Sequence, residues 1–424
     1  VIAVVSHTHP SVSKGGAEIA ALALFEGLRA AGQEAIFIAI CQEPDREKLR
    51  LGSDREFAIF VDPQRYDHFY QLASAEVWRQ FDAILAIHPV QLISFHHFLG
   101  LGVNTLRRLA DMRKIPFTMT FHEFLAACNH HGQMVTRPAR RLCDMASPDA
   151  CIGCYPEHSR AQFAQRAALM REALLPAAAF VSPSRFLADR MIAWGLPAER
   201  FVIIENGLRR PPAASLRARS QSTATLRGPG KPWVFGYFGQ LTPFKGGDIL
   251  LDAIDILAAR QDHAIRLQVH GTLVGQTPDF ARRFETTMSA HPWTRFHGPY
   301  DNADVGTLMA ACDYVLMPST WWENSPVVIQ EAFAAGRPVI CTGIGGMAEK
   351  VPDRQAGLHF RRGDAADLAR VMQEATDDVL YEALVSQLPA VSDNAAMAHA
   401  YLAMFERMGL AAAPPKGRRR TVGR

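Results

Sequence analysis

The chain has 424 residues, 48% of them apolar and 21% charged, with a formal charge of +3. That length exceeds what one ordinary core fills, so two domains are expected. No apolar run reaches the roughly 20 residues that a membrane-spanning helix needs. The body is near neutral, because Lys416, Arg418, Arg419, Arg420 and Arg424 sit in the last ten residues, and overall charge gives no reason to expect nucleic acid as a partner.

Residues 1–6 are an apolar run that predicts a buried first strand. No basic region precedes it and His7-Thr8-His9 cuts it short, so it is not expected to be a signal peptide. The chain does not begin with Met and is expected to be a processed or excised piece. Residues 17–31 have helical period and stop at Gly32, and 34–40 read as a strand. Strands are also predicted over 82–87, 117–121, 179–181 and 201–204, with a helix over 185–194. Near residue 210 the texture changes to Pro, Ser, Thr, Arg and Gly without periodicity, which reads as a linker. The alternation then restarts, with strands over 233–238, 265–270, 314–317 and 338–341 and helices over 248–259 and 327–335. Two helix-covered parallel sheets follow from this pattern, an α/β chain with two doubly layered domains.

The boundaries predicted are a first domain over 1–210 with a cysteine-containing insertion at about 124–160, a linker over 211–231, and a second domain over 232–385. Helices over 386–410 are expected to pack back on the first domain, and a basic tail over 411–424 is expected to be disordered. Seven cysteines, an odd number unevenly spread, do not suggest a secreted disulfide scaffold, so a cytoplasmic location is expected.

In open α/β sheets ligands bind beyond the carboxyl ends of strands, so chemistry is sought in the loops there. The first such loop of the second domain runs from Gly239 and Gln240 to Lys245, Gly246 and Gly247, directly before a helix. A lysine at a helix N-terminus opposes the helix dipole, and the placement makes sense with an anion bound there. The alternative is a turn with a solvated lysine. A second loop holds Glu323, Asn324, Ser325 and Pro326, followed by Val327, Val328 and Glu331 in a helix. Ser325 suits an N-cap and Pro326 the first helical position. Val328, Ala332 and Ala335 mark an apolar face, and a carboxylate in that setting needs partners such as vicinal sugar hydroxyls.

Gly239 to Gly246 followed by Glu323-x7-Glu331, together with the 331–339 helix–strand stretch and Thr342-Gly343-Ile344-Gly345-Gly346, resembles the retaining group 1 glycosyltransferases, a glycosyltransferase family 4-like group of the GT-B fold. The resemblance implies two Rossmann-like domains facing across a cleft, the first on the acceptor side. It implies that Lys245 contacts a donor diphosphate, Glu331 the nucleotide ribose and Glu323 the transferred sugar. Pro326, Val327 and Val328 would line the phosphate and sugar, with Asn324 and Ser325 in the same loop. The family often has Arg where this chain has Gln240, which leaves more weight on Lys245.

In the first domain Gly15 and Gly16 open the first helix, as the family's donor- or acceptor-facing glycine pair does. His122 follows a strand, where the family's histidine reaches the donor sugar; alone, it reads equally as structural. Ser184 and Asn206 resemble cleft positions of lesser weight. The resemblance makes His122, Glu323 and Lys245 the candidate catalytic residues. It implies sugar transfer with retention from a UDP- or GDP-sugar to a glycan or lipid-linked acceptor, in cell-surface polysaccharide, lipopolysaccharide or other glycoconjugate assembly. No cofactor is required for such catalysis, and leaving-group departure with the phosphate as base is the expected mechanism.

Cys128, Cys143, Cys151 and Cys154 fall in one irregular segment, the last two as Cys-Ile-Gly-Cys, and a structural zinc is the functional reading, with His130 and His131 as alternative ligands. Unligated thiols are the alternative. Trp321 and Trp322 suit stacking on a base or sugar, or core packing. The basic tail suits peripheral contact with the inner face of a membrane, or simple solvation. Rival readings are an epimerase-like or phosphorylase enzyme on the same fold, a non-catalytic scaffold, and a nicotinamide dehydrogenase, against which the lack of Gly-x-Gly-x-x-Gly counts.

Overall fold

A computed structural model describes residues 1–13, 15–137, 139–208, 230–260, 264–273 and 276–410. Lys14, most of the expected linker and the basic tail over 411–424 lie outside the described residues. The chain forms two compact units, Val1–Arg209 with Ser392–Arg424, and Arg210–Val391.

The first unit contains β1 (Ile2–Ser6), α1 (Gly16–Ala30), β2 (Ala35–Gln42), β3 (Glu56–Val61), α2 (Ala75–Ile87), β4 (Leu92–Phe95), α3 (Val103–Arg108), β5 (Phe117–Thr120), α4 (Pro148–Ile152), α5 (Arg160–Leu174), β6 (Ala179–Ser182), α6 (Arg185–Trp194) and β7 (Phe201–Ile203). Its seven strands are ordered β3-β2-β1-β4-β5-β6-β7, and every pairing is parallel. Strands buried on both faces explain the continuous apolar runs.

The expected strand over 82–87 is corrected. Those residues end α2, whose buried positions Val77, Trp78, Phe81 and Leu85 recur at helical spacing. The strand lies instead at Leu92–Phe95, four buried residues after the turn at Pro89.

The second unit contains β8 (Trp233–Gln240), α7 (Gly247–Ala259), β9 (Ile265–Thr272), α8 (Pro278–Ala290), β10 (Thr294–Gly298), α9 (Val305–Ala310), β11 (Tyr314–Met317), α10 (Val327–Ala334), β12 (Val339–Thr342), α11 (Gly345–Lys350), β13 (Gly357–Phe360), α12 (Ala365–Glu374) and α13 (Asp378–Ser386). Its sheet order is β10-β9-β8-β11-β12-β13, again parallel throughout. One apolar cluster joins Phe235, Leu267 and Tyr314 to Leu250, Ile254 and Leu368; another joins Val315, Val339 and Cys341 to Met309, Ile329 and Phe333. Each face of the sheet therefore has its own helical cover.

The last described helix, α14 (Asn394–Arg407), belongs to the first unit. Met397, Tyr401, Met404 and Phe405 bury against Phe25, Leu28 and Phe37, each such side chain stabilising by about 1.5–3 kcal/mol. Tyr401 Oη lies 2.9 Å from Thr120 Oγ1. Two glycines permit the contact. A Cβ on Gly27 would stand 2.6 Å from the Asn394 carbonyl oxygen, and one on Gly207 would stand 2.7 Å from that of Asp393.

Candidate functional site

Each sheet has a switch point, where the connections leave in opposite directions and open a crevice at the carboxyl ends of the strands. In the second unit it lies between β8 and β11. The loop after β8 carries Lys245 and the loop after β11 carries Glu323, so residues 78 positions apart meet. Lys245 Nζ donates to Glu323 Oε1 at 2.6 Å. Ser319 Oγ and Trp321 Nε1 donate to the same oxygen at 2.9 and 2.7 Å. Burial alone would raise the Glu323 carboxyl. The Lys245 ammonium and the three donated hydrogen bonds overcome that and hold it below the ordinary range.

The loop after β8 is shaped by backbone constraints. Thr242 Oγ1 accepts from the Lys245 amide at 3.2 Å, closing a single 3-10 turn. Gly246 follows at φ 75°, and a Cβ there would stand 1.9 Å from the Pro318 carbonyl oxygen. Only glycine lets the two loops approach closely enough for the Lys245–Glu323 pair. Trp321 stacks on Phe244 with centroids 5.4 Å apart, and Lys245 Nζ lies 5.4 Å from the Trp321 ring centre. Gly239 has φ 132°, and Gln240 ends β8 with its side chain exposed.

The Glu323 loop is braced from the other side. The Gly346 amide donates to the Glu323 carbonyl at 2.8 Å, and a Cβ on Gly346 would stand 1.9 Å from the Asn324 carbonyl oxygen. The expected N-cap is corrected. Pro326, with ψ 123°, occupies it and Val327 begins α10, because the Pro326 carbonyl accepts from the Ile329 amide at 3.1 Å. Asn324 and Ser325 stay in the loop, and Val327 and Val328 form the first turn. Glu331 lies about one turn further along. Burial pushes its carboxyl up to about 7.

In the first unit the switch point lies between β1 and β4. His7 follows β1, His96 and His97 follow β4, and His122 and Glu123 follow β5, so adjacent strands bring four histidines together. His96 Nδ1 and His122 Nε2 are 3.0 Å apart. His97 Nδ1 accepts from the Phe98 and Leu99 amides, so its ring proton sits on Nε2 and is donated to Glu123 Oε1 at 3.1 Å. The His7 and His97 rings lie 4.3 Å apart, and His7 Nε2 is 3.5 Å from Glu18 Oε1. Burial lowers His7 and His96 to about 3 and His97 to about 4, takes His122 well below its usual value, and raises Glu123 to about 8. The four rings are neutral at physiological pH. Beside them a cavity of about 230 Å³ is lined by His7, Thr8, Glu18, Asp45, Tyr66 and His68, among others.

The remaining predicted residues divide. Gly15 caps α1, and Gly16 begins it, next to Glu18. The Ser184 hydroxyl accepts from the Leu187 amide at 3.2 Å, so it caps α6. Asn206 is buried in the turn against which α14 packs. Cys128, Cys143, Cys151 and Cys154 line one small cavity with His130; His131 does not line it. Among the described residues, no three His, Cys, Asp or Glu side chains stand as a ready-made metal site.

His96 and His97 were not expected at the site. They mattered only as residues ending a strand, and that strand is the one the 82–87 assignment displaced. Ser319 and the hydrogen-bonding role of Trp321 left no sequence signal.

The second unit matches the family model of group 1 glycosyl transferases over residues 232–378, and the first matches the glycosyl transferase 4-like domain over 15–207. The chain belongs to the group 1, family 4-like glycosyltransferases. Among curated relatives, D-inositol 3-phosphate glycosyltransferase of Corynebacterium aurimucosum is 25% identical over 297 residues, covering 68% of this chain and 63% of the relative. That of Corynebacterium glutamicum is 27% identical over 277 residues, covering 63% and 59%. The chain thus spans less than two thirds of the length of these relatives. Among solved structures, Anabaena HepE in complex with UDP-glucose is similar with a TM-score of 0.63 and 19% identity, covering 96% of this chain and 99% of that one. Sucrose-phosphate synthase of Thermosynechococcus elongatus is similar with a TM-score of 0.69 and 20% identity, covering 97% and 99%. These likenesses establish the GT-B fold. No helix among the described residues is long and apolar enough to cross a membrane.

Proposed function

We propose that this chain transfers a sugar, with retention of anomeric configuration, from a UDP-sugar to a hydroxyl-rich acceptor. The observation that carries the reading is the Lys245–Glu323 pair at the switch point of the second unit. A cation and an anion held 2.6 Å apart offer complementary partners to a sugar diphosphate. The diphosphate takes the ammonium, and the sugar hydroxyls donate to the carboxylate. Donor binding exchanges one charge-assisted contact for others, so little desolvation is added.

Lys245, together with the positive end of the α10 dipole, neutralises charge as the nucleoside diphosphate departs. Glu331, raised by burial to about 7, gains donors from a ribose diol. The departing phosphate serves as base toward the acceptor hydroxyl, and no metal or organic cofactor is invoked. His122, its Nε2 facing His96, is the candidate for contact with the transferred sugar. The 230 Å³ cavity beside His7 and Glu18 is the candidate acceptor site. UDP is favoured over GDP by the likeness to a structure holding UDP-glucose. The cell-surface glycan setting, with a glycan or lipid-linked acceptor, follows the family's character, and the relatives named for inositol 3-phosphate add that compound to the acceptors to be tried.

The test is nucleoside diphosphate release from a panel of UDP- and GDP-sugars with glycan, polyprenyl-linked and inositol 3-phosphate acceptors. Product anomeric configuration is read by proton NMR. Release from one UDP-sugar with an α-linked product from an α-linked donor supports the reading. Inversion removes the retaining assignment. Absence of both binding and release for every donor moves the chain to the scaffold reading.

A further inference from the structure

Between β5 and α5 the chain runs through a long segment in which, among the described residues, the one regular helix is the five-residue α4. Long irregular loops inside a compact domain need something to hold them. Part of the answer is Arg166 of α5. Its buried guanidinium donates to the carbonyls of Leu125, Ala126 and Phe69 at 2.7, 2.9 and 2.8 Å. That fixes only the beginning of the segment.

Four cysteines from three separate stretches converge further along. Their backbones are fixed by hydrogen bonds. The amides of Cys128 and Cys143 donate to Phe124 and Met134, and those of Cys151 and Cys154 donate to Ser147 and Cys151, all within 2.7–3.0 Å. A bridge between Val135 and Leu142 brings the Cys143 stretch back toward Cys128. All four side chains line one cavity of about 20 Å³, with Val135, Ala146, Ala150 and Phe163 completing an apolar wall. That space holds about one water-sized sphere. None of the four cysteines is in a disulfide.

Three arginines surround the same place. Arg137 donates to the Cys154 carbonyl at 3.2 Å and covers the Tyr155 ring at 4.2 Å. Arg190 donates to the Cys143 carbonyl at 3.2 Å. Arg166 interacts electrostatically with Cys128 and Cys151. Arg137 and Arg190 also face carboxylates, those of Glu157 and Asp144, and all three guanidinium groups stand where they offset the charge of a metal–thiolate centre.

We propose that Cys128, Cys143, Cys151 and Cys154 bind a single structural zinc ion that ties the segment between β5 and α5 to the body of the first unit. Zinc favours tetrahedral thiolate sets with Zn–S distances of about 2.3 Å. Among the described residues the four thiols do not already stand at such distances, so metal binding requires them to turn inward into the shared cavity. Binding is balanced: one Zn²⁺ and four Cys–SH give a tetrathiolate of charge 2− and four protons, which leave to solvent. The arginines offset the resulting charge. His130 supports the site rather than completing it. Its Nδ1 donates to the Val135 carbonyl at 2.8 Å, which fixes the ring against the Cys128 turn. The segment's opening residues include His122 and Glu123, so the metal also steadies the loop that leaves the histidine cluster. This proposal is independent of the transferase reading.

The test uses the full chain purified under reducing conditions. Plasma mass spectrometry is expected to find a stoichiometric zinc, released by an organomercurial and detected with a metallochromic dye. Reconstitution with cobalt(II) chloride is expected to give thiolate-to-cobalt charge-transfer bands and the intense visible bands of a tetrahedral centre. Cys151→Ser and Cys154→Ser lose both signals, whereas Cys41→Ser and Cys312→Ser, whose residues lie outside the cavity, keep them. If the serine variants do not fold, the wild-type cobalt spectrum decides. A folded wild-type chain that takes up neither zinc nor cobalt overturns the proposal, as does metal retained in full by both serine variants.

Discussion

Replacing Glu323 by Gln tests the donor site most directly. The substitution keeps size and one acceptor oxygen but removes the charge that Lys245, Ser319 and Trp321 all address. A hydrogen bond to a charged group contributes about 1.5–3 kcal/mol, and a sugar presenting two hydroxyls stands to lose about 3 kcal/mol in the transition state. At about 1.4 kcal/mol per tenfold, kcat/KM falls by about 10²-fold. The cost to stability is smaller. Lys245 is 34% exposed, so solvent screens the pair and unfolding free energy falls by about 1 kcal/mol, a melting shift of about 2–4 °C. Binding of UDP without its sugar moves the other way or not at all, since Lys245 loses its internal partner and turns to the diphosphate. The assay pairs steady-state turnover of the UDP-sugar with calorimetric titration of UDP. A folded variant with turnover within threefold of wild type, or one whose UDP affinity collapses along with turnover, refutes the division of labour between Lys245 and Glu323.

Gly246→Ala places a side chain at φ 75°, where its Cβ meets the Pro318 carbonyl oxygen. Backbone strain alone costs about 1–3 kcal/mol, so both the melting temperature and UDP affinity fall; an unchanged melting temperature contradicts the packing described. The pH dependence of UDP binding reports Glu331. Burial lifts its carboxyl to about 7, above the unfolded value, so the proton is retained in the folded apo state below pH 7. In the proposed mode of binding a ribose diol donates to the ionised form, so affinity is expected to rise as pH increases through 7 and then level. Glu331→Gln flattens that rise, and calorimetric titration between pH 6 and 8 measures it. A rise that persists in the variant assigns it to another group.

Much of the proposed donor site was legible in the sequence because its parts are local. A lysine and glycines between a strand and a helix, and a glutamate before another helix, need only a strand–loop–helix frame to be placed at a carboxyl edge. The role of Trp321 was not legible, because an indole that packs in a core and one that donates to a carboxylate leave the same trace. The histidine cluster was half legible. His122 followed a recognised strand, but His96 and His97 followed β4, whose four residues lay in the shadow of a longer apolar stretch in α2.

The sequence by itself determined two parallel α/β units, the change of texture between them and the strand ends where polar residues gather. These depend on periodicity and on turn chemistry within a few residues. Tertiary structure decided which of those ends are neighbours. The strand orders β3-β2-β1-β4-β5 and β9-β8-β11-β12 set which strand ends adjoin, and through them the meeting of Lys245 with Glu323 and of His96 with His122. Tertiary structure also assigned α14 to the first unit, through two glycines whose missing side chains admit another backbone. Contacts between residues tens to hundreds of positions apart carry no periodic signal, because nothing in local propensity encodes how a sheet orders its strands.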